Sequence, residues 1–210
     1  HGLGEQLLRH AAQQRSDRTL RIQARYGQGA TLFHMGALEA AREHLEAVLD
    51  EYDAAMHREH VLAYGGYDPG VACGLWLAWT LLFLGRLDEA RAHDRRALEL
   101  AQQLTDPFSL AWASYGAGAT AQILGDWPTA ESRSAEAVRL AEEHGFPHVL
   151  GMATINRGWA LLMQRKPEVG IPILREGIAV VEATGARLLR SSYLGMLAAV
   201  DAIEGQPGRA

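Results

Sequence analysis

Apolar and polar residues come in long alternating blocks along this chain. The apolar stretch Trp76 to Leu84 gives way to a polar break, Arg86 to Asp88, and then to an amphipathic segment that runs to a second break at Thr105–Pro107. The same order returns with Trp112 to Leu124, Ile155 to Met163 and Leu194 to Ile203, followed by the breaks Asp126–Pro128, Lys166–Pro167 and Gln206–Pro207. Further second breaks stand at Gly145–Pro147 and Thr184–Gly185. Gly85, Gly125, Arg165 and Gly205 mark these turns at intervals of 40 residues. Gly36 opens one more copy, Gly36-Ala37-Leu38-Glu39-Ala40-Ala41, 49 residues before Gly85. A repeat of this length, made of an apolar helix, a turn and an amphipathic helix, predicts a stack of helix pairs.

Small residues recur in phase with the turns. Seven positions before them stand Gly29, Ala78, Gly118, Gly158 and Ala198; five after them stand Ala41, Ala90, Ala130, Gly170 and Ala210. Twelve after them stand Val48, Ala97, Ala137 and Gly177. Antiparallel helices approach to about 8 Å only where small side chains meet. Glycine within a helix costs about 1 kcal/mol relative to alanine. Gly118, Gly158, Gly170 and Gly177 are therefore expected at close helix contacts.

The pattern resembles the tetratricopeptide repeat, a helix–turn–helix unit of about 34 residues with small residues at its eighth, twentieth and twenty-seventh positions. Here the unit is about 40 residues long, and the resemblance implies an all-α solenoid of antiparallel helix pairs wound in a right-handed superhelix. In that register the chain enters on a second helix at about residues 2–14. Helices are expected at 17–35, 38–54, 69–84, 87–104, 107–124, 127–144, 147–164, 167–183 and 186–204. These make repeats at 17–54, 69–104, 107–144 and 147–183, a partial fifth at 186–210 and a connector at 55–67, all in one repeat domain. Ser16 and Asp17, Asp68-Pro69, Asp106-Pro107 and Phe146-Pro147 supply helix starts. Gly145 and Gly185 supply C-terminal caps. Pro172, one turn inside its helix, removes a hydrogen bond.

Longer words narrow the resemblance. Asp68-Pro69-Gly70-Val71-Ala72-Cys73, Glu143-His144-Gly145-Phe146-Pro147, Arg157-Gly158-Trp159-Ala160-Leu161, Arg175-Glu176-Gly177-Ile178-Ala179 and Thr184-Gly185-Ala186-Arg187-Leu188-Leu189-Arg190 are similar to one group. It is the C-terminal repeat region of large bacterial signalling proteins that carry a P-loop ATPase module and often a class III adenylate/guanylate cyclase domain. The resemblance implies a cytoplasmic, regulatory, partner-facing segment, with the catalytic modules outside this stretch. A first residue other than Met agrees with a piece of something longer.

Composition and chemistry remove several alternatives. The formal net charge of −5 disfavours an extended nucleic-acid surface. The single cysteine, Cys73, excludes an intrachain disulfide. The longest apolar run, Leu75 to Leu84, is too short for a membrane span. No phosphate-binding loop or nucleophile elbow is present, so no catalytic residue and no cofactor are expected. His57 and His60, three apart and near Asp53, would share a helix face and form the alternative metal-binding or hydrolytic unit; the order His-Arg-Glu-His lacks the metalloprotease spacing. His93 sits among arginines and acids on a solvated face. His57, His60, Val61 and Tyr64 fall at i, i+3, i+4 and i+7, which predicts a short ordered element closed by Gly65-Gly66.

The resemblance also implies where a partner would bind. The first helix of each pair lines the inner surface, and its contact positions map here to Tyr26, Phe33, Trp76, Trp79, Phe83, Trp112, Tyr115, Asn156, Trp159, Met163 and Met196, with His34 beside Phe33. The Lys/Asn/Arg set that clamps a C-terminal carboxylate is missing apart from Asn156. The expectation is a protein-interaction module that takes a protein or peptide segment, from a partner or from the parent chain. A spacer between catalytic modules is the alternative, in which the same aromatics are ordinary core. Leu188, Leu189, Tyr193, Leu194 and Leu197 predict an apolar end that self-associates end to end or frays beyond about residue 204.

Overall fold

The computed structural model describes residues 18–56 and 67–205. These residues are helical throughout: α1 (Arg18–His34), α2 (Leu38–Glu51), α3 (Pro69–Phe83), α4 (Leu87–Leu104), α5 (Pro107–Ile123), α6 (Trp127–His144), α7 (Pro147–Met163), α8 (Pro167–Ala183) and α9 (Arg190–Ile203), with a 3-10 turn at Ala54–Met56. The helix expected at 2–14 and the predicted element around His57, His60, Val61 and Tyr64 lie outside the described residues. Two compact units divide the chain, one ending at Gly116 and the other beginning at Ala117.

The turns inside the pairs share one construction. Gly36, Gly85, Gly125 and Gly205 take φ between 70° and 78°, and Arg165 takes φ 62°. The residue after the turn donates its N–H back five positions. The bonds are Ala37 to Leu32 O at 3.0 Å, Arg86 to Leu81 O at 2.8 Å, Asp126 to Ala121 O at 2.9 Å and Lys166 to Leu161 O at 3.0 Å. This bond satisfies a carbonyl that the helix leaves open, and glycine reaches the left-handed region without a Cβ clash. At the opposite ends, Asp68 Oδ1 accepts from Val71 N at 3.0 Å, Asp106 Oδ2 from Ser109 N at 2.8 Å and Asp126 Oδ1 from Thr129 N at 3.3 Å. Proline follows Asp68 and Asp106 directly, where its missing N–H costs nothing.

In the first unit α1 and α2 pair through Gly29, where an added Cβ would lie 2.7 Å from Leu45 Cγ. Leu45 and Val48 are fully buried there. Val71, Leu75, Ala97, Ala101 and Ala113 form the core shared by α3, α4 and α5. In the second unit α7 and α8 meet backbone to backbone. A Cβ on Gly158 would lie 2.5 Å from Leu174 N, one on Gly170 2.7 Å from Gly158 O, and one on Gly177 2.6 Å from Ile155 N. A Cβ on Gly118 would lie 2.6 Å from Ser134 Oγ. The in-phase glycines are therefore close-contact positions, and Gly151, where an added Cβ would lie 2.9 Å from Val181 N, joins them.

Two ends differ from the sequence pattern. The helix expected to run to 54 stops at Glu51, because Tyr52 adopts an extended conformation (φ −69°, ψ 142°). The last first-helix begins at Arg190 and not at 186. Gly185 ends α8 with φ 76°, and Leu189 stands before α9 at φ 65° with no side-chain cap. The stretch between them offers no Ser, Thr, Asp or Asn to start a helix earlier.

Candidate interaction surface

In the first unit, α1, α3 and the part of α5 up to Gly116 carry a continuous set of aromatic rings. On α3, Trp76, Trp79 and Phe83 recur at helical spacing and so share a face. Trp76 and Trp79 meet edge to face with centroids 5.0 Å apart. Trp79 meets Tyr115 of α5 at 6.1 Å, and Tyr115 meets Trp112 at 5.3 Å. Toward α1, Trp76 contacts Phe33 at 5.2 Å and His34 at 5.1 Å. Phe33 in turn reaches Phe83 at 5.9 Å. Each such pair contributes about 0.5–1.5 kcal/mol beyond its burial.

Burial sorts these rings into a floor and an open end. Trp79 and Tyr115 are 8% and 6% exposed and act as core. Trp76, Phe33 and Trp112 are half-buried. Phe83 keeps 60% of its surface in water, as does Met35 at the end of α1. Tyr26 pairs with Tyr67, centroids 5.5 Å apart, and also interacts with the Trp76 side chain; burial pushes its hydroxyl pKa far above the ordinary range.

The electrostatics of this face follow from its sequence. Neither α3 nor α5 contains a charged side chain. The arginines of α1, Arg18, Arg21 and Arg25, lie in its first half, where Arg18 donates to Glu51 O and Arg21 and Arg25 pair with the Glu51 carboxylate at 3.1 and 3.8 Å. Partial desolvation lowers the pKa of His34 below its ordinary value. Cys73 is fully buried, and desolvation raises its thiol pKa. It is an inert packing residue.

The remaining residues singled out by the sequence lie in the second unit. Asn156, Trp159 and Met163 are on α7 and Met196 is on α9. Asn156 is 8% exposed, whereas Trp159, Met163 and Met196 are half-buried. Trp127 opens α6, half-buried, and its carbonyl accepts from Gln164 Nε2 at 3.3 Å. His93 is half-buried and its pKa is lowered, first by desolvation and then by Arg96. Among the described residues no group of three or more His, Cys, Asp or Glu side chains is placed to hold a metal ion. His57 and His60 lie outside them. No helix among the described residues is long and apolar enough to cross a membrane. The exposure of Met35 was not singled out from the sequence, although its place directly before the turn Gly36 was a usable signal.

Comparison with known proteins agrees with this architecture. Residues 70–143 match the tetratricopeptide repeat family. The apo form of RapI superposes with a TM-score of 0.66 at 12% identity, covering 85% of this chain and 62% of that one. BtubC from P. vanneervenii gives 0.61 at 18% identity, covering 81% and 66%. A Rap protein complexed with Competence and Sporulation Factor gives 0.54 at 19% identity, covering 83% and 57%. The chain thus spans less than two thirds of the length of each of these structures. No curated protein sequence matches it. The fold is a tetratricopeptide-like array of antiparallel helix pairs.

Proposed function

We propose that this chain is a non-catalytic regulatory module of a cytoplasmic bacterial signalling protein, a single repeat domain that receives a protein or peptide segment on the inner face of its first helices. The observation that carries this reading is the run of ring contacts from Trp112 through Tyr115, Trp79, Trp76 and Phe33 to Phe83, which ends in a phenylalanine 60% exposed to water. Clustered aromatic anchors with a buried base and an open edge are the usual centre of a protein-binding surface. The Rap protein complexed with Competence and Sporulation Factor supports the reading as a helical array of similar fold that holds a second molecule. Asn156, Trp159, Met163 and Met196 are proposed contact residues of the second unit, taken by itself. The link to ATPase and cyclase modules rests on the sequence words quoted above.

The test uses random dodecapeptides displayed on phage and panned against the full chain. The expected result is enrichment by the unaltered protein and loss of enrichment by Phe83→Ser, with Glu99→Gln on the charged helix α4 as a control that keeps it. No enrichment, or equal enrichment by Phe83→Ser, overturns the reading.

Self-association through α9 is a second reading with its own observation. Leu188, Leu194 and Ile203 are 55%, 44% and 54% exposed. A cleft of about 390 Å³ separates Ile203 from Pro167 and Ile171. Sedimentation velocity over a hundredfold concentration range should then show a dimer or higher species that Leu194→Glu abolishes. A concentration-independent monomer removes this reading.

A further inference from the structure

We infer that the segment received by the first unit presents large apolar side chains with no charge among them, and that it docks on the open end of the aromatic set formed by Phe33, His34, Trp76 and Phe83. This rests on the proposed interaction role and adds the chemistry of the partner. The four rings contact one another directly: Phe33 meets His34 at 5.4 Å, Trp76 at 5.2 Å and Phe83 at 5.9 Å, and His34 meets Trp76 at 5.1 Å. Unlike Trp79 and Tyr115, they keep surface to offer, most of all Phe83.

Charge decides what can cover them. The helix that supplies Trp76 and Phe83 carries no ionisable side chain except the buried Cys73. Arg18, Arg21 and Arg25 of α1 are fifteen, twelve and eight helical residues from Phe33, about 22, 18 and 12 Å at the helical rise, and are engaged with Glu51 and Asp53. At the near end the charges are engaged with each other. Arg86, in the turn after Phe83, pairs with Glu89 at 2.7 Å, and Arg42 pairs with Glu39 at 2.9 Å and Glu46 at 2.7 Å. A carboxylate brought down onto the rings would lose its water against their negative faces and find no counter-ion, and an ammonium would set a cation–π attraction against a larger desolvation cost. An aliphatic or aromatic side chain loses only unfavourable hydration.

The peptides enriched by the phage selection test this directly. Their shared positions should be Leu, Ile, Met or Phe. A synthetic peptide carrying the consensus should bind with an affinity that changes less than twofold between about 50 and 500 mM NaCl. Replacing either of its two most strongly shared residues with Lys or Glu should weaken binding at least tenfold. Phe83→Leu should keep binding within about threefold, while Phe83→Ser, which melts like the unaltered protein, should lose it. Consensus peptides with charged shared positions, or an affinity that drops severalfold with salt, would overturn the apolar chemistry while leaving the interaction role intact. A selection that enriches nothing would overturn both.

Discussion

The Tyr52 hydroxyl donates to Asp68 Oδ2 at 2.9 Å while the Tyr52 ring occupies the space a Cβ on Gly70 would need, 2.7 Å from Tyr52 Cε1. Asp68 is fully buried, caps α3 through Val71 N and accepts the phenol on its other oxygen. Its backbone N–H donates to Ser109 Oγ at 3.3 Å, which ties the start of α3 to the start of α5. The word Asp68-Pro69-Gly70 is thus a joint between helices. Asp68→Ala removes the cap, worth about 1 kcal/mol, and strands a phenol at about 1–3 kcal/mol. A loss of about 3 kcal/mol in urea unfolding is expected; a loss under about 1 kcal/mol would contradict the joint.

Glycines divide by what surrounds them. Gly158→Ala would force a Cβ to within 2.5 Å of Leu174 N, a backbone atom that cannot rotate away. Overpacking of this kind costs about 1–3 kcal/mol or more, so a loss at the upper end of that range is expected. Gly27 and Gly195 have open space where a Cβ would go. Replacing either with Ala should raise stability by up to about 1 kcal/mol, the helix-propensity difference. Thermal melts of the three variants should order as Gly158→Ala far below, and the other two at or above, the unaltered protein.

Arg165 occupies a turn position that glycine fills in the other pairs, with φ 62°. A non-glycine residue pays about 1–2 kcal/mol to sit there, part of which glycine returns through its freer unfolded chain. Arg165→Gly should therefore stabilise by about 1 kcal/mol, a rise of about 2–4 °C for a chain of this size. An unchanged or lower melting temperature would show that the arginine makes a compensating contact.

Histidine titration sets a pH dependence with a definite sign. Burial lowers the pKa of His34, His44, His93 and His148 below the ordinary value of 6.5. The unfolded chain therefore takes up protons first as the pH drops. Their contribution is complete above about pH 6.5 and is lost progressively as the pH falls through the folded pKa values. The melting temperature should be lower at about pH 5.5 than at pH 7.5, and His93→Gln should narrow that difference. A flat profile, or one unaffected by His93→Gln, would contradict it.

Much of the helical skeleton was legible in the sequence because turn chemistry is local. From α3 to α8 each observed helix ends within one residue of the position read from Asp, Pro and Gly punctuation. The start of α9 was misplaced because nothing in Ala186 to Leu189 signals a left-handed residue at Leu189. Gly151 stands out of phase with the repeating small positions and so carries no repeat signal, although a Cβ there would lie 2.6 Å from Val181 Cγ2. The aromatic face was legible as spacing, 76, 79 and 83 on one helix and 112 and 115 on another. Which rings would be floor and which edge was not, since Trp79 is covered by residues from other helices, far away in sequence. The consequence for Trp79→Ala is a stability loss of about 3–5 kcal/mol, so Phe83 is the cleaner probe of binding.

The central claim is that the open ring cluster of the first unit is where a partner segment docks, and fluorine NMR of protein labelled with 5-fluorotryptophan tests it most directly. Five tryptophans give five resonances, assigned by single Trp→Phe variants, and the consensus apolar peptide is titrated in. The account predicts a saturable shift of the Trp76 resonance, with Trp127 unmoved and the Trp76 shift absent in Phe83→Ser. A Trp76 resonance that stays in place at saturating peptide, or that shifts equally in Phe83→Ser, would contradict it.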